Sequence, residues 1–319
     1  MKKIFTFSLI AVLASFFVIS CSKSDDSLGE TERRGESTEH TPEAGGGNQG
    51  DNSSDSNPNN PPTDGDNSQP NQSDKPFVYK VLVEDVTGTW CGHCPSVARA
   101  IQRAKNADNP LKEKLVVVAI HNGNGWYEPM AITKSNILLN HFKTLPQNIR
   151  FKGGFPWYKL NRDQDLYRSN APQHIFERLE KTPTSPLGIK ISSHLDDNGG
   201  RISVSFKTTE NLEGLKYHIF VTQDNLTYGQ SDYQQGYNHN FKHDEVLRDI
   251  YGEVTGNELG TLTKSQEVTK ENQQVSYTLL QNGTMDKVKV VVFVTNAAGA
   301  VVNVQEAKAN QTKDYEYVK

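Results

Sequence analysis

The hydrophobic pattern of the chain changes twice. Residues 4–19 are almost unbroken apolar sequence, residues 22–75 contain very few apolar side chains, and from about residue 76 short apolar runs alternate with polar turns. Runs rich in Val, Ile and Leu predict buried strands, and apolar residues three or four positions apart predict amphipathic helices. The pattern therefore predicts a folded region that begins near residue 76.

The first part of the folded region alternates strands with helices. Strands are predicted at residues 79–86 and 115–121, with a helix at 95–104 between them that carries Val97, Ile101 and Ala104 on one face. A strand, helix, strand order with an all-apolar second strand predicts a central parallel sheet. The pattern further predicts helices at 132–142 and 171–181 and a short strand at 157–161. This α/β domain is expected to span residues 76–185.

From residue 186 onwards the pattern changes to short strands separated by turns. The predicted strands are residues 188–194, 201–208, 216–223, 274–280, 287–296 and 301–307. Alternation of apolar and polar residues in several of them indicates one buried face, so residues 186–319 are expected to form an all-β sandwich of immunoglobulin-like or jelly-roll type. Residues 225–272 are predicted to be a long, Tyr-rich connection.

The N-terminus resembles an export signal. Lys2 and Lys3 precede the apolar run, and residues 1–20 are expected to be a signal peptide. The residues before Cys21 resemble the lipobox of bacterial lipoproteins, in which the cysteine is lipidated; the alternative is a simple secretory signal with an incidental cysteine. Ser22 follows Cys21, which favours the outer membrane, on its periplasmic face or at the cell surface.

The composition of the remaining N-terminal sequence indicates a disordered tether. Residues 21–75 comprise the cysteine and a tract of Ser, Asn, Asp, Gly, Pro and Glu that cannot bury enough apolar surface to fold. A glycosylated or adhesive stalk is the alternative. The formal net charge of −4, without a basic stripe, gives no reason to expect a nucleic-acid partner.

The three cysteines of the chain direct attention to one motif. With Cys21 assigned to the lipid, the folded region retains Cys91 and Cys94 in the sequence WCGHCP, which can be a redox couple, half of a metal site or an inert pair. A disulfide that closes so short a loop adds little stability. Zinc requires four ligands, no second cysteine pair exists, and the spaced pair His239 and His243 is interpreted as part of a polar loop or helix cap. No metal site is predicted.

The position of the motif favours the redox couple. The cysteines lie where the first strand passes into a helix, and the positive end of a helix stabilises a thiolate at Cys91. Cys94 is then close enough to resolve a mixed disulfide formed at Cys91, and His93 between them favours the dithiol form. The pair itself carries the electrons, so no further cofactor is expected.

The strand, WCGHC and helix together resemble the thioredoxin superfamily, and the Gly92-His93 dipeptide is the one found in protein disulfide isomerases. The resemblance implies a thioredoxin-like fold for the first domain. It also implies that Asp85 is a buried acid that accepts a proton from Cys94. Pro156 corresponds to the cis-proline of the superfamily, and Trp90, Phe155 and Pro156 are expected to bind the substrate chain.

The segment VLVEDVTGTWCGHCPS and the order of the domains resemble the 28-kDa outer-membrane-protein family of Bacteroidetes over residues 76–319. This resemblance implies an outer-membrane lipoprotein. Two functions remain as alternative hypotheses. The first is a cell-envelope thiol-disulfide oxidoreductase of oxidase or isomerase type that acts on protein thiols or disulfides. The second is a surface binding protein or adhesin that contacts its ligand through the β domain.

Overall fold

A computed structural model describes residues 75–147 and 149–319. These residues belong to one compact unit. The expected signal peptide, the lipidation site Cys21 and nearly all of the tether lie outside the described residues. In the part of the chain that is described, no helix combines the length and the apolar character that crossing a membrane requires.

The described residues form three α-helices and sixteen strands. The helices are α1 (Cys94–Lys105), α2 (Thr133–Thr144) and α3 (Ala171–Lys181). The strands are β1 (Phe77–Val78), β2 (Val81–Thr87), β3 (Leu115–His121), β4 (Trp157–Leu160), β5 (Gln164–Asp165), β6 (Thr184–Ser185), β7 (Leu187–Asp196), β8 (Gly199–Thr208), β9 (Leu212–Gln223), β10 (Leu226–Gln230), β11 (Asn238–His243), β12 (Val246–Ile250), β13 (Asn257–Leu262), β14 (Glu267–Ser276), β15 (Val288–Thr295) and β16 (Val301–Lys308).

A nine-stranded mixed sheet runs through the whole folded region. Its order is β16-β15-β9-β12-β3-β2-β4-β5, and β13 also pairs with β9. Strands β2 and β3 are parallel and joined through α1, whereas β4 is antiparallel to β2 and β5 antiparallel to β4. The parallel pairing of β12 with β3 at Val246 and Ala119 joins strands from both sides of the expected domain boundary near residue 185.

The apolar runs of β2 and β3 arise because both faces of these strands are covered. Helices α1 and α3 pack on one face through residues such as Val97 and Ile175. On the other face, α2 contributes Leu138 and Phe142 to a second core. A strand buried on both faces has no polar positions to alternate with its apolar ones, which explains the unbroken sequence LVVVAI of β3.

A second sheet packs on the other end of the nine-stranded sheet. Its order is β14-β8-β7, and its buried residues share one core with β9 and β15. On β15, Val290 and Val292 face this core while Val291 and Phe293 face α2. The two facing sheets give the C-terminal half the β-rich character expected of it, and one of them extends into the N-terminal half.

The region 225–272 differs most from the sequence prediction, because the expected loop contains strands β10, β11, β12 and β13. Strand β11 has the sequence NHNFKH and is largely exposed, so no apolar alternation identifies it. Strand β14 runs over Glu267–Ser276 rather than the expected 274–280, because it is an edge strand with few apolar residues. Its pairing with β8, not its own pattern, fixes its bounds.

Candidate active site

The two cysteines of the motif form a disulfide at the start of α1. Cys91 lies in the loop after β2, Cys94 is the first residue of the helix, and their Cα atoms are 5.4 Å apart. Both side chains are buried. The two-residue spacing was predicted to place the cysteines within reach of each other. In the structure they are bonded at the junction of strand and helix.

The helix end beside the disulfide has an uncompensated positive character. His93 occupies the N-cap position, its side chain makes no capping hydrogen bond, and the first turn of α1 contains no acidic residue. The positive end of a helix dipole stabilises an anion within about one turn. Since Cys91 precedes the N-cap by two residues, its thiolate would lie in this favourable field after reduction of the disulfide.

Asp85 lies on β2, opposite Ala119 of β3 and Tyr158 of β4. Its side chain is buried, as the resemblance implied, and its Oδ1 atom has no hydrogen-bond partner within the described structure. Burial raises the pKa of Asp85 to about 7. A carboxyl group with this pKa exchanges a proton near neutral pH.

A cavity of about 80 Å³ connects Asp85 with Cys94. His121, His243 and Gln230 also line it, and they come from β3, β11 and β10. The Nε2 atom of His243 is buried without a hydrogen-bond partner in the described structure. The cavity therefore brings one cysteine of the disulfide, a carboxyl group and two imidazoles together.

Glu128, in the loop after β3, contacts His121, which lines this cavity. Its Oε1 atom lies 3.0 Å from Nδ1 of His121, and its Oε2 atom accepts hydrogen bonds from the backbone N–H and the hydroxyl of Thr89 at 2.6 and 2.8 Å. Burial opposes ionisation, but the bonds from His121 and Thr89 outweigh it and hold the pKa of Glu128 below its usual value. Burial also lowers the pKa of His243 to about 3, so that its imidazole is neutral.

The expected substrate-binding residues meet beside the motif. The rings of Trp90 and Phe155 pack with their centroids 5.0 Å apart, and Nε1 of Trp90 donates a hydrogen bond to the carbonyl of Asn122. The Phe155–Pro156 peptide bond is cis, as the resemblance implied. The structure therefore brings Trp90 and Phe155 together and places Pro156 immediately before β4.

Hairpin β10–β11 docks on the motif from the C-terminal half of the chain. The N–H groups of Ser231 and Tyr233 donate to the carbonyls of Thr89 and Gly92 at 2.8 and 2.9 Å. The buried amide of Gln230 donates to the carbonyls of Gly88 and Cys91, both at 3.1 Å. These contacts connect residues about 140 positions apart.

Three residues beside the motif were not predicted from the sequence as parts of the site, namely Gln230, Tyr233 and Glu128. Gln230 and Tyr233 lie in a polar segment that shows no periodicity, and Glu128 lies in the irregular sequence after β3. His239 and His243 lie on strand β11 rather than in a loop or helix cap. Within the described ranges, no three His, Cys, Asp or Glu side chains are grouped so that they could hold a metal ion.

A family model described as outer membrane protein Omp28 matches residues 143–313, which is more than half of the chain. The chain belongs to the Omp28 family. Membership places the protein in the outer membrane. The matched residues include the cis peptide at Pro156 and the hairpin that carries Tyr233, whereas Cys91 and Cys94 precede them.

Among solved structures, this Omp28-family chain is similar to HBP35 of Porphyromonas gingivalis, with a TM-score of 0.54 and 17% sequence identity over 74% of this chain and 76% of that chain. This similarity concerns the fold. A β-glucosidase from Kluyveromyces marxianus, determined in complex with glucose, gives a TM-score of 0.21 and 14% identity over 47% of this chain and 18% of that chain, and it carries no argument. No curated protein matches the sequence.

Proposed function

We propose that this outer membrane protein is a thiol-disulfide oxidoreductase of the cell envelope whose redox centre is the Cys91–Cys94 pair. The observation that carries the proposal is the cavity behind the disulfide, where the buried Asp85 with its unpartnered oxygen faces the same space as Cys94. A structural disulfide has no need for a buried carboxyl group of raised pKa beside it. Such groups are typical of sites that transfer protons.

The topology around the motif supports the interpretation of the N-terminal half as a thioredoxin-like fold. Strands β3, β2, β4 and β5 are neighbours in that order, with β2 and β3 parallel and β4 and β5 antiparallel. Helices α1 and α3 cover one face. With this fold, the substrate chain would bind next to Cys91 against Trp90, Phe155 and Pro156.

The reaction follows from the positions of the two sulfurs. In the oxidising direction, a substrate thiolate attacks Sγ of Cys91, the Cys91–Cys94 bond breaks, and the Cys94 thiolate that leaves takes a proton from Asp85. A second substrate thiolate then attacks the mixed disulfide and releases Cys91 as a thiolate. The substrate loses two electrons and gains a disulfide, and the cysteine pair gains the two electrons, so the cysteine pair needs no further cofactor.

The reverse direction uses the same atoms. The Cys91 thiolate attacks a substrate disulfide, and Cys94 resolves the mixed disulfide after transferring its proton to Asp85. The helix end and His93 favour the thiolate of Cys91 and therefore the reduced pair, which makes the oxidised pair a better oxidant. We propose oxidase or isomerase activity on protein thiols or disulfides on this ground.

Lipidation at Cys21 would tether this activity to the outer membrane through the N-terminal segment. The sequence features for it are the signal-like residues 1–20 and the polar tract that follows. Metabolic labelling with a palmitate analogue tests the anchor, and Cys21→Ser is expected to abolish the label while leaving the Cys91–Cys94 pair intact.

The redox function is tested with the full chain and three variants. Wild-type protein is expected to refold scrambled ribonuclease and to reduce insulin in the presence of a thiol, and Cys91→Ser is expected to abolish both activities. Cys94→Ser is expected to accumulate mixed disulfides with substrate proteins because the resolving thiol is absent. Cys21→Ser serves as the matched control for removal of a cysteine. Wild-type activities that match those of Cys91→Ser would refute the proposal.

A further inference from the structure

One residue of the docked hairpin contacts the two residues between the cysteines. The side chain of Tyr233 packs against Gly92 so closely that a Cβ atom at position 92 would lie 2.5 Å from its ring. The same ring meets the imidazole of His93 at a centroid distance of 4.8 Å and an interplanar angle of 87°. Position 92 therefore has to be glycine as long as Tyr233 occupies this place.

The contact lies outside the hydrophobic core, because the Tyr233 side chain is 74% exposed. Its backbone is nevertheless fixed. The N–H of Tyr233 donates to the carbonyl of Gly92, and the carboxylate of the neighbouring Asp232 accepts a 2.6 Å hydrogen bond from Nη1 of Arg99 on α1. These backbone and side-chain contacts of the hairpin thus hold an exposed aromatic ring against the cysteine motif.

We propose that Tyr233 is a positioning residue that holds the imidazole of His93 beside Cys91 and thereby favours the thiolate of Cys91. This role rests on the proposed function, since it matters only if Cys91 is the attacking thiol. The hairpin that carries Tyr233 comes from the C-terminal half of the chain. That half would therefore set the reactivity of a cysteine in the N-terminal half.

The side chain of His93 makes few contacts within the described residues. Its side chain is exposed and makes no capping hydrogen bond, and Tyr233 is the one aromatic ring recorded against it within the described residues. An imidazolium group near a thiolate stabilises it, but water screens the interaction when the ring swings outward. A contact with an exposed aromatic ring is worth a factor of about two to five in an equilibrium.

Other charged groups surround the cysteine pair and act in every variant alike. Arg99 and Asp232 pair with each other on the side of the hairpin, and Glu128 pairs with His121 near Thr89. The groups that line the cavity on the side of Cys94 are Asp85, His121, Lys242, His243, Asp244 and Glu245. A comparison at fixed pH between variants that differ only at positions 93 and 233 therefore isolates the proposed contact.

The test measures the rate at which iodoacetamide alkylates Cys91 as a function of pH, in full-length protein with Cys94→Ser so that one thiol of the motif reacts, and with Cys21→Ser. Tyr233→Ala is expected to slow alkylation at about pH 6 by about two- to fivefold and to move the midpoint of the pH profile upward. Tyr233→Phe keeps the ring and is expected to retain the wild-type profile. Tyr233→Leu keeps apolar bulk without the aromatic ring and is expected to behave as Tyr233→Ala.

The same hairpin offers a matched control. Tyr237 also meets a histidine, His239, at a centroid distance of 4.7 Å and an angle of 75°, and it is also exposed. Tyr237→Ala removes an equivalent ring from an equivalent contact that does not involve the motif. Its profile is expected to match that of the parent protein, and an equal shift in Tyr237→Ala would overturn the role of Tyr233.

A double-mutant cycle separates positioning from a general effect on structure. If Tyr233 acts through His93, Tyr233→Ala shifts the profile in the parent protein and leaves it unchanged in the His93→Asn background. An equal shift in both backgrounds, or no shift in the parent protein, would overturn the proposal. A profile of the parent protein that matches an ordinary exposed thiol would count against the proposed function itself, whereas a shifted profile that does not respond to position 233 overturns only the role of Tyr233.

Discussion

Glu84 and Asp85 are neighbours on β2, both are buried, and their side chains point to opposite faces of the sheet. Glu84 makes a bidentate ion pair with Arg162, in which Nε and Nη2 donate to the two carboxylate oxygens at 2.7 Å each. Asp85 has an oxygen without a partner in the described structure and faces the cavity beside Cys94. Two adjacent carboxyl groups in one strand thus have opposite environments.

The difference separates an acid with a structural partner from an acid that is a candidate for proton transfer. The Arg162 guanidinium also packs over the rings of Phe142 and Phe293, at 5.2 and 4.8 Å from their centroids, so the charge of Glu84 is fully matched within the core between the sheet and α2. Burial without a matching charge costs stability, and a site that tolerates this cost usually uses the group. Asp85 meets that description.

Breaking the matched pair is expected to have the largest effect. Glu84→Gln leaves the buried Arg162 without a counter-charge and is expected to lower the free energy of unfolding by up to about 5 kcal/mol, the upper end for breaking a buried ion pair. Denaturant unfolding with the disulfide intact measures the change. A loss below about 1 kcal/mol, as for an exposed pair, would contradict the structural role of Glu84.

The unmatched acid is expected to make stability depend on pH. The pKa of Asp85 is about 7 in the folded chain and near 3.8 when unfolded, so the folded state binds the proton more tightly. This stabilisation is complete below about pH 4 and is lost as the pH rises through about 7. Asn does not titrate, so Asp85→Asn lacks this pH dependence. As the pH rises from about 4 to about 8, the free energy of unfolding of wild type is therefore expected to fall by about 4 kcal/mol relative to that of the variant.

Denaturant unfolding of wild type and Asp85→Asn at several pH values measures this prediction. The comparison between the two proteins removes the contributions of other titrating groups, which both share. A difference between them that stays constant from pH 4 to pH 8 would show that Asp85 ionises as an ordinary carboxyl group, and the contrast with Glu84 would then be lost.

The third prediction concerns the exchange reaction. Asp85→Asn is expected to slow resolution of the mixed disulfide by Cys94 about 100-fold at neutral pH, the low end for loss of a general base, which corresponds to about 2.7 kcal/mol. Attack by Cys91 on a small disulfide is expected to remain near the wild-type rate, because Cys91 ionises beside the helix end. Rapid-quench kinetics of the two steps make the measurement, and equal slowing of both would contradict the role of Asp85.

The smallest expected effect tests the geometry of the matched pair. Arg162→Lys keeps the charge but loses one of the two parallel hydrogen bonds, and a loss of about 2 kcal/mol in the free energy of unfolding is expected. Arg178→Lys is the matched control, since Arg178 pairs with the half-exposed Asp163 and its replacement is expected to cost less than about 1 kcal/mol. Equal effects at the two positions would contradict the importance of burial.

The sequence predicted the elements around the motif well because local patterns determine them. Strand β3 and helix α3 have the bounds that periodicity predicts, and the position of Asp85 followed from a resemblance carried by adjacent residues. The partners of the two acids were not predictable in this way. Arg162 pairs with Glu84 across 78 positions, and its own segment shows no pattern that points to a buried charge.

The C-terminal half shows the same limit more strongly. Periodicity indicates which face of a strand is buried but not which strand lies beside it, so the insertion of β12 between β9 and β3 could not be read from the sequence VLRDI. The hairpin that carries Tyr233, which docks on Gly92, directly precedes β12 along the chain. One part of the candidate site, the cysteines and Asp85, is therefore predictable from local sequence. The other part, the hairpin residues that dock on the motif, results from long-range pairing.

The reduction potential of the Cys91–Cys94 pair tests the central claim most directly. Equilibration of the full-length Cys21→Ser protein with glutathione buffers measures it, with the fraction of alkylated cysteine as the readout. The positive helix end and His93 predict a potential near that of protein disulfide isomerase, about −180 mV, and clearly above that of thioredoxin at about −270 mV. A value below about −300 mV, typical of structural disulfides, would contradict the assignment of the pair as a redox centre.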